Sequence, residues 1–193
     1  MSERRARGAP REAIMDAAYR LLAERGYEAA TTKEIARAAG VAPGLVHYYF
    51  VSKDELVVEM LRRESGRYTA MIQQLAASVP TERLAAAALA EPRERVTRQP
   101  EWYRLRYALF ALALHNDSVA PGVRSLLAEG RDGIAAAARR ALGDDVPDAE
   151  ATAAVLLACF DGLALQKLLD PDVDLERAYA VLGRMVNALE GQR

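Results

Sequence analysis

One cysteine, Cys159, in a chain of 193 residues excludes an internal disulfide and gives no support for a cysteine-rich metal site. The only histidines, His47 and His115, are far apart, and no His, Cys, Asp or Glu spacing resembles a metal-ligand set. Aromatic residues make up 6% of the chain and β-branched runs are scarce, which argues against a sheet protein. The longest uninterrupted apolar run, Ala153 to Phe160, is far too short to cross a bilayer. Charges in Met1–Arg7 have no apolar core behind them, so no signal peptide is expected. Nucleophile–base pairs and phosphate-cradling glycine loops are also missing. The expectation is a cytoplasmic protein with no catalytic residues, no metal, no cofactor and no membrane partner.

What is present is alanine and leucine, within a composition that is 51% apolar. Both are strong helix formers, so the chain reads as all-α. A formal charge of −1 conceals an asymmetry. Residues 1–53 carry nine Lys/Arg against six Asp/Glu, and the remainder carries seventeen against twenty-one. A basic head on an acidic body suits a protein that meets nucleic acid with its amino-terminal end.

Apolar periodicity divides the chain into about nine helices. After Pro10, residues Ile14, Ala17, Ala18, Leu21 and Leu22 form one buried face, and Gly26 ends that helix. Thr31 and Glu34 read as a capping box opening a short helix through Ala39. Gly40 breaks it, and Pro43 opens a third helix to about Phe50. A long fourth helix spans Asp54 to about Ala77. Five more follow: from Pro80, with Pro92 ending or bending it; Pro100 to about His115; Pro121 to about Leu142; Pro147 to Leu169; and Leu175 to Leu189.

The informative stretch runs from Thr31 to Leu56, TTKEIARAAGVAPGLVHYYFVSKDEL. Two helices too short to be stable alone are joined by a tight Ala39-Gly40-Val41 turn. Ile35, Val41, Val46 and Phe50 are placed to bury against the first helix. That leaves Pro43, Gly44, Leu45, His47, Tyr48 and Tyr49 outward on the third, a small-headed helix with hydrogen-bonding aromatics. Such a helix fits the major groove of DNA, with its amino-terminal residues nearest the base edges. Thr32, Lys33 and Lys53 reach phosphates, which set register without reading sequence. Leu45 either packs on a thymine methyl or fills local space.

This stretch resembles the TetR family of regulators. The likeness rests on Thr31-Thr32, Ile35-Ala36, Ala39-Gly40-Val41, an aromatic cluster ending in Phe50, and Lys53 ahead of Leu56, and it runs from Arg11 to about Leu61. It implies a transcriptional regulator, most often a repressor released from DNA by a small-molecule effector. It implies homodimers of all-α subunits on double-stranded palindromic operator DNA. A helix-turn-helix head (residues 8–56, with the motif itself about 31–50) would precede a ligand-binding and dimerisation body (57–193). Carried over, Thr32, Lys33, Gly44, Leu45, His47, Tyr48, Tyr49 and Lys53 match the DNA-contacting positions. Two departures stand out: Ala42 replaces a usual Ser, removing a helix cap worth about 1 kcal/mol, and His47 stands where Tyr is usual. The residues do not separate a repressor from an activator or from a regulator without a ligand.

Beyond Leu61 the likeness fades. Trp102, Tyr103, Tyr107 and Phe110 gather most of the body's aromatics on one helix, and with Tyr68, Met71 and Leu75 of the fourth helix and Phe160 they form a candidate effector pocket. An ordinary core is the simpler alternative for each. Arg106, flanked by apolar residues, needs an anionic partner, either a ligand or an internal acid such as Glu64. Gly130 and Gly133 serve either close helix packing or a thinned pocket wall. Cys159 is expected as a buried small hydrophobe. The apolar helix ending at Leu169 and the last helix supply candidate dimer contacts: Leu156, Leu163, Leu175, Leu182, Val186 and Leu189.

Overall fold

The helices form where alanine- and leucine-rich periodicity meets local start and stop signals. In the computed structural model they are α1 (Ser2–Ala29), α2 (Thr32–Ala39), α3 (Pro43–Tyr49), α4 (Lys53–Ser78), α5 (Thr81–Arg98), α6 (Pro100–Ala113), α7 (Ala120–Leu142), α8 (Ala149–Leu169) and α9 (Leu175–Glu190). The structure describes residues 2–142 and 148–190, without the side chains of 2–8, 75–76, 81–82, 141–142 and 189–190. No strand occurs among the described residues. The expected helix start at Pro147 lies outside them. α8 begins instead beside Asp148, whose carboxylate accepts the Ala151 N–H at 3.2 Å.

Local signals act as their chemistry dictates. Gly26 takes φ 79°, ψ 170° and kinks α1 ahead of Tyr27. Thr31 and Glu34 form the reciprocal capping box on α2. Gly40 closes α2 in the left-handed region, and the following Val41 N–H bonds the Ala36 carbonyl at 3.0 Å. Ala42 caps α3 with no side-chain hydrogen bond.

Two compact units emerge, one formed by Met1–Ser65 with Arg104–Leu126 and the other by Gly66–Tyr103 with Leu127–Arg193. In the first, α1 packs on α2 and α3. Ile14, Met15, Leu22, Ile35, Val46, Phe50, Leu56, Met60 and Leu61 are almost wholly withdrawn from water. Each such side chain stabilises the fold by about 1.5–3 kcal/mol relative to exposure. Charge reinforces the joint between α1 and α4: Arg63 bonds Glu12 at 2.8 Å and Asp16 at 2.7 Å, and Arg11 bonds Glu59 at 3.1 Å.

In the second unit α5 packs on α8 and α9, which also touch each other. α5 runs through Pro92 to Arg98, so of the two expected outcomes, an end or a bend, the helix does not end there. A proline inside a helix costs about 3 kcal/mol. Here Pro92 is buried, its carbonyl accepts the Tyr103 hydroxyl at 3.5 Å, and tertiary packing outweighs the lost ladder bond. Ala149–Leu169 of α8 passes the length and composition test for a membrane span, a test that the core helix of a soluble protein also passes, and the helix carries no argument for a membrane.

Gly130 and Gly133 sit in α7 without crowding. A Cβ would lie 3.6 Å from Leu157 at the first and 3.8 Å from Thr69 at the second, both ordinary contacts. Neither glycine is required by close packing within the chain. Gly130→Ala and Gly133→Ala should therefore each stabilise the protein by about 0.5–1 kcal/mol, read as a raised urea midpoint. A lowered midpoint would show that these positions need glycine.

Candidate functional site

α3 owes its position to its inward face. Val46 and the following Phe50 are buried, with Arg11 of α1 over the Phe50 ring at 5.2 Å. Pro43, Gly44, His47 and Tyr48 consequently face outward, Tyr48 at 71% exposure. Leu45 and Tyr49 are half-buried, and Tyr49 meets Tyr48 edge-on at 5.0 Å. Lys33 is exposed on α2, and Thr32 is half-buried beside it. Glu34 is held below the usual carboxylate range, chiefly by the Thr31 backbone N–H and then by its hydroxyl.

Lys53 is engaged within the chain. Its ammonium donates to the Tyr27 carbonyl and lies 4.0 Å from the Tyr27 ring centroid. The Tyr27 hydroxyl donates to Asp54, and burial followed by that carboxylate pushes its pKa well above the ordinary tyrosine value. Ser52 caps α4 by accepting the Glu55 N–H at 3.0 Å. Of this cluster, sequence reading picked out Lys53 for contact with DNA and missed Tyr27 and Asp54. The tyrosine that follows the helix-kinking Gly26 was the available signal.

The nominated effector residues fall into separate clusters. In the second unit, Tyr68 and Trp102 enclose the guanidinium of Arg95, at 4.0 Å and 3.9 Å from their ring centroids. Tyr103 meets Trp102 edge-on at 4.9 Å. Arg95 is only 4% exposed and donates to Gln99 at 3.0 Å. Burial pushes the Tyr68 hydroxyl pKa well up, against the opposing pull of Arg95. Arg95 was not singled out from sequence, because it lies in the charged run EPRERVTR, which reads as a solvated face. Phe160 stacks on Tyr179 at 6.0 Å, Met71 is exposed, and the Leu75 side chain lies outside the described residues. In the first unit, the guanidinium of buried Arg106 lies 4.5 Å from the Phe110 ring centroid, and Tyr107 packs on Phe110. Glu64 bonds Arg63 at 2.8 Å. A cleft of about 420 Å³ opens elsewhere in the second unit, among Arg93, Glu94, Thr97, Arg98, Lys167 and Leu175, and takes none of the nominated effector residues.

The candidate dimer residues mostly turn inward within the single subunit. Leu156, Leu175, Leu182 and Val186 are buried within the subunit, and Leu163 is half-buried. The side chain of Leu189 lies outside the described residues. Leu156, Leu175, Leu182 and Val186 thus lie on the inward sides of α8 and α9, which both pack on α5. What α8 and α9 leave exposed is Val155, Leu165 and Leu169 on the first and Val181 and Met185 on the second. Cys159 is half-buried, not buried.

A capped short helix, a left-handed glycine turn and an outward-facing second helix, in a chain whose other described elements are all helices, define a helix-turn-helix DNA-binding protein. Residues 14–60 match the model of bacterial regulatory proteins of the tetR family, and residues 80–190 match that of the BetI-type transcriptional repressor C-terminal region. The chain belongs to the TetR family of transcriptional regulators. It is 32% identical over 181 residues to the HTH-type transcriptional regulator BetI of Rhizobium meliloti, covering 92% of this chain and 88% of that protein. A TetR-family regulator from Rhodococcus sp. shares the fold at a TM-score of 0.76 and 24% identity, over 95% and 99% of the two chains. FadR of Bacillus subtilis, solved in complex with stearoyl-CoA, does so at 0.72 and 16% identity, over 91% and 96%.

A buried guanidinium between two rings is stabilised by both faces and by the packing of its stem. Arg95→Ala should lower stability by about 2–4 kcal/mol in urea denaturation, more than an exposed arginine would. A loss below about 0.5 kcal/mol would show that the sandwich contributes nothing.

Proposed function

We propose that the chain is a repressor that binds palindromic operator DNA as a homodimer in the cytoplasm and lets go when a small molecule occupies its body. The observation that carries the reading is the outward face of α3, where Pro43, Gly44, His47 and Tyr48 stand exposed behind a buried Val46 and Phe50. Gly44 adds to it. No atom lies within 4 Å of a Cβ built there, so nothing in the chain requires glycine, whereas close approach to a DNA backbone does. Gly44 and Leu45 approach base edges. His47, Tyr48, Tyr49, Thr32 and Lys33 bond phosphates, and Lys53 leaves the Tyr27 carbonyl to do the same.

Division into a head of residues 8–56 and a body of 57–193 follows from this assignment. Repression is supported by the BetI-type repressor match over residues 80–190. Response to a small molecule is supported by FadR, a fold neighbour that holds stearoyl-CoA. Effector contacts are proposed among Tyr68, Met71, Trp102, Tyr103 and Phe160 of the second unit, and Leu75 belongs to the same proposal. Arg106, Tyr107 and Phe110 of the first unit are proposed as effector contacts in their own right. An effector shifts DNA affinity only by its difference in affinity for the two states, typically 1–3 kcal/mol. The homodimer is supported by the exposed apolar residues of α8 and α9: Val155, Leu165 and Leu169 recur at helical spacing on one helix, and Val181 and Met185 on the other. A second copy laid against them completes a four-helix interface, with Leu163 at its margin and Leu156, Leu175, Leu182 and Val186 supporting it from within; Leu189 remains a proposed contact.

Two measurements test this. Lys53→Ala should weaken binding to selected and scrambled duplexes alike and reduce the salt slope by about one; a loss confined to the selected duplex would make Lys53 a base reader. Sedimentation should give about twice 21.1 kDa for the wild type. Val155→Glu with Met185→Glu should give folded monomers with weak DNA binding, and a persistent dimer would place the interface elsewhere.

A further inference from the structure

Asp54 is the second residue of α4, next to Lys53, and its carboxylate is used on both sides. Tyr27 donates its hydroxyl to Oδ1, and Asn116 of the α6–α7 turn donates from Nδ2 to Oδ2 at 3.5 Å. The orientation of the Asn116 amide is set by its other end, since Oδ1 accepts from Ser118 N–H at 3.0 Å and from Ser118 Oγ at 2.7 Å. The amino group is therefore the end left for Asp54. Tyr27 in turn holds Lys53, by its carbonyl and by its ring. A continuous series of contacts thus leads from the α6–α7 turn through Asp54 and Tyr27 to Lys53.

A second contact stands independently of these hydrogen bonds. Val58 lies four residues after Asp54, on the same face of α4. The first turn of α7 presses on it so closely that a Cβ built on Gly122 would fall 2.5 Å from Val58 Cγ1. A methyl group there does not fit unless the Val58 side chain or one of the two helices moves. Residues 116–122 accordingly bear on the DNA-proximal end of α4 at two points one helical turn apart.

We propose that Asp54 is a positioning residue for DNA binding: Asn116 of the α6–α7 turn acts through Asp54, and the Gly122–Val58 contact of α7 acts beside it, to set Tyr27 and Lys53 at the end of α4. The inference rests on the assignment of Lys53 to a DNA phosphate. In the wild type, Asn116 and Gly122 hold α4 so that Lys53 leaves Tyr27 for phosphate in one fixed direction. Loss of the Asn116 bond, or a wedge at Gly122, shifts the start of α4 and weakens that contact.

The test measures anisotropy of the full-length protein with a duplex that the wild type selects from a random pool. Asn116→Ala and Gly122→Ala should each weaken binding about fivefold or more, with cooperative thermal unfolding retained. Adding Val58→Ala to Gly122→Ala removes the collision and should restore affinity to within about twofold. In a Lys53→Ala background, Asn116→Ala should add no further loss, whereas a merely structural role would add its full effect. Should Gly122→Ala fail to fold, the Asn116→Ala pair of measurements decides alone. Variants that match a wild type which does bind, or fully additive losses with Lys53→Ala, overturn this inference only. A wild type that selects no duplex overturns the DNA-contact assignment and this inference with it.

Discussion

Everything the head does depends on burying the inner faces of two helices that cannot stand alone. α2 has eight residues and α3 has seven, both below the length at which an isolated helix survives in water. Their persistence comes from Ile35, Ala36, Val46 and Phe50, each at most 2% exposed against the α1 face. Gly40 makes the arrangement possible, because its left-handed backbone reverses the chain in one residue while the freed α2 carbonyls keep their partners. Once those four side chains are inside, the outer face of α3 has no further choice. The DNA-facing residues of α3 are displayed as a consequence of packing.

Charge performs a different task in each unit. In the first, Arg63 reaches two acids of α1 from α4, and Arg11 reaches Glu59, so the head is fastened to the start of a long helix. Pairs this exposed contribute little stability singly, but they share one joint and fix its angle. In the second unit, as with Arg106 in the first, a cation is also buried. Arg95 lies between Tyr68 and Trp102, in a place where a cluster of aromatics suggested empty space for a ligand. The aromatic rings are there, and the chain itself supplies their first occupant.

The contrast between head and body explains what sequence could reveal. Capping box, glycine turn and proline start are all local, written within a few residues, and the structure places Thr31, Glu34, Gly40 and Pro43 in those roles. The body is governed by tertiary facts. Pro92 does not break α5, because packing on α8 and α9 outweighs one missing bond. Gly122 looks like any helical glycine until Val58 is found against it. Periodicity on α8 and α9 marked the apolar positions but not which of two apolar sides faced inward, so Leu182 and Val186 were expected outside while Val181 and Met185 are exposed. Where a helix is apolar on more than one side, as α8 is, periodicity loses its power to orient it.

Hydrogen exchange of the full chain, with and without a duplex the protein has selected, tests most directly whether the packed head is the DNA-binding surface. Protection gained on DNA should concentrate between Thr32 and Lys53, with α2 and α3 already protected to a measurable degree in the free protein because their inner faces are buried. Protection appearing instead in α5 to α9, with α3 exchanging at the same rate in both states, would contradict it.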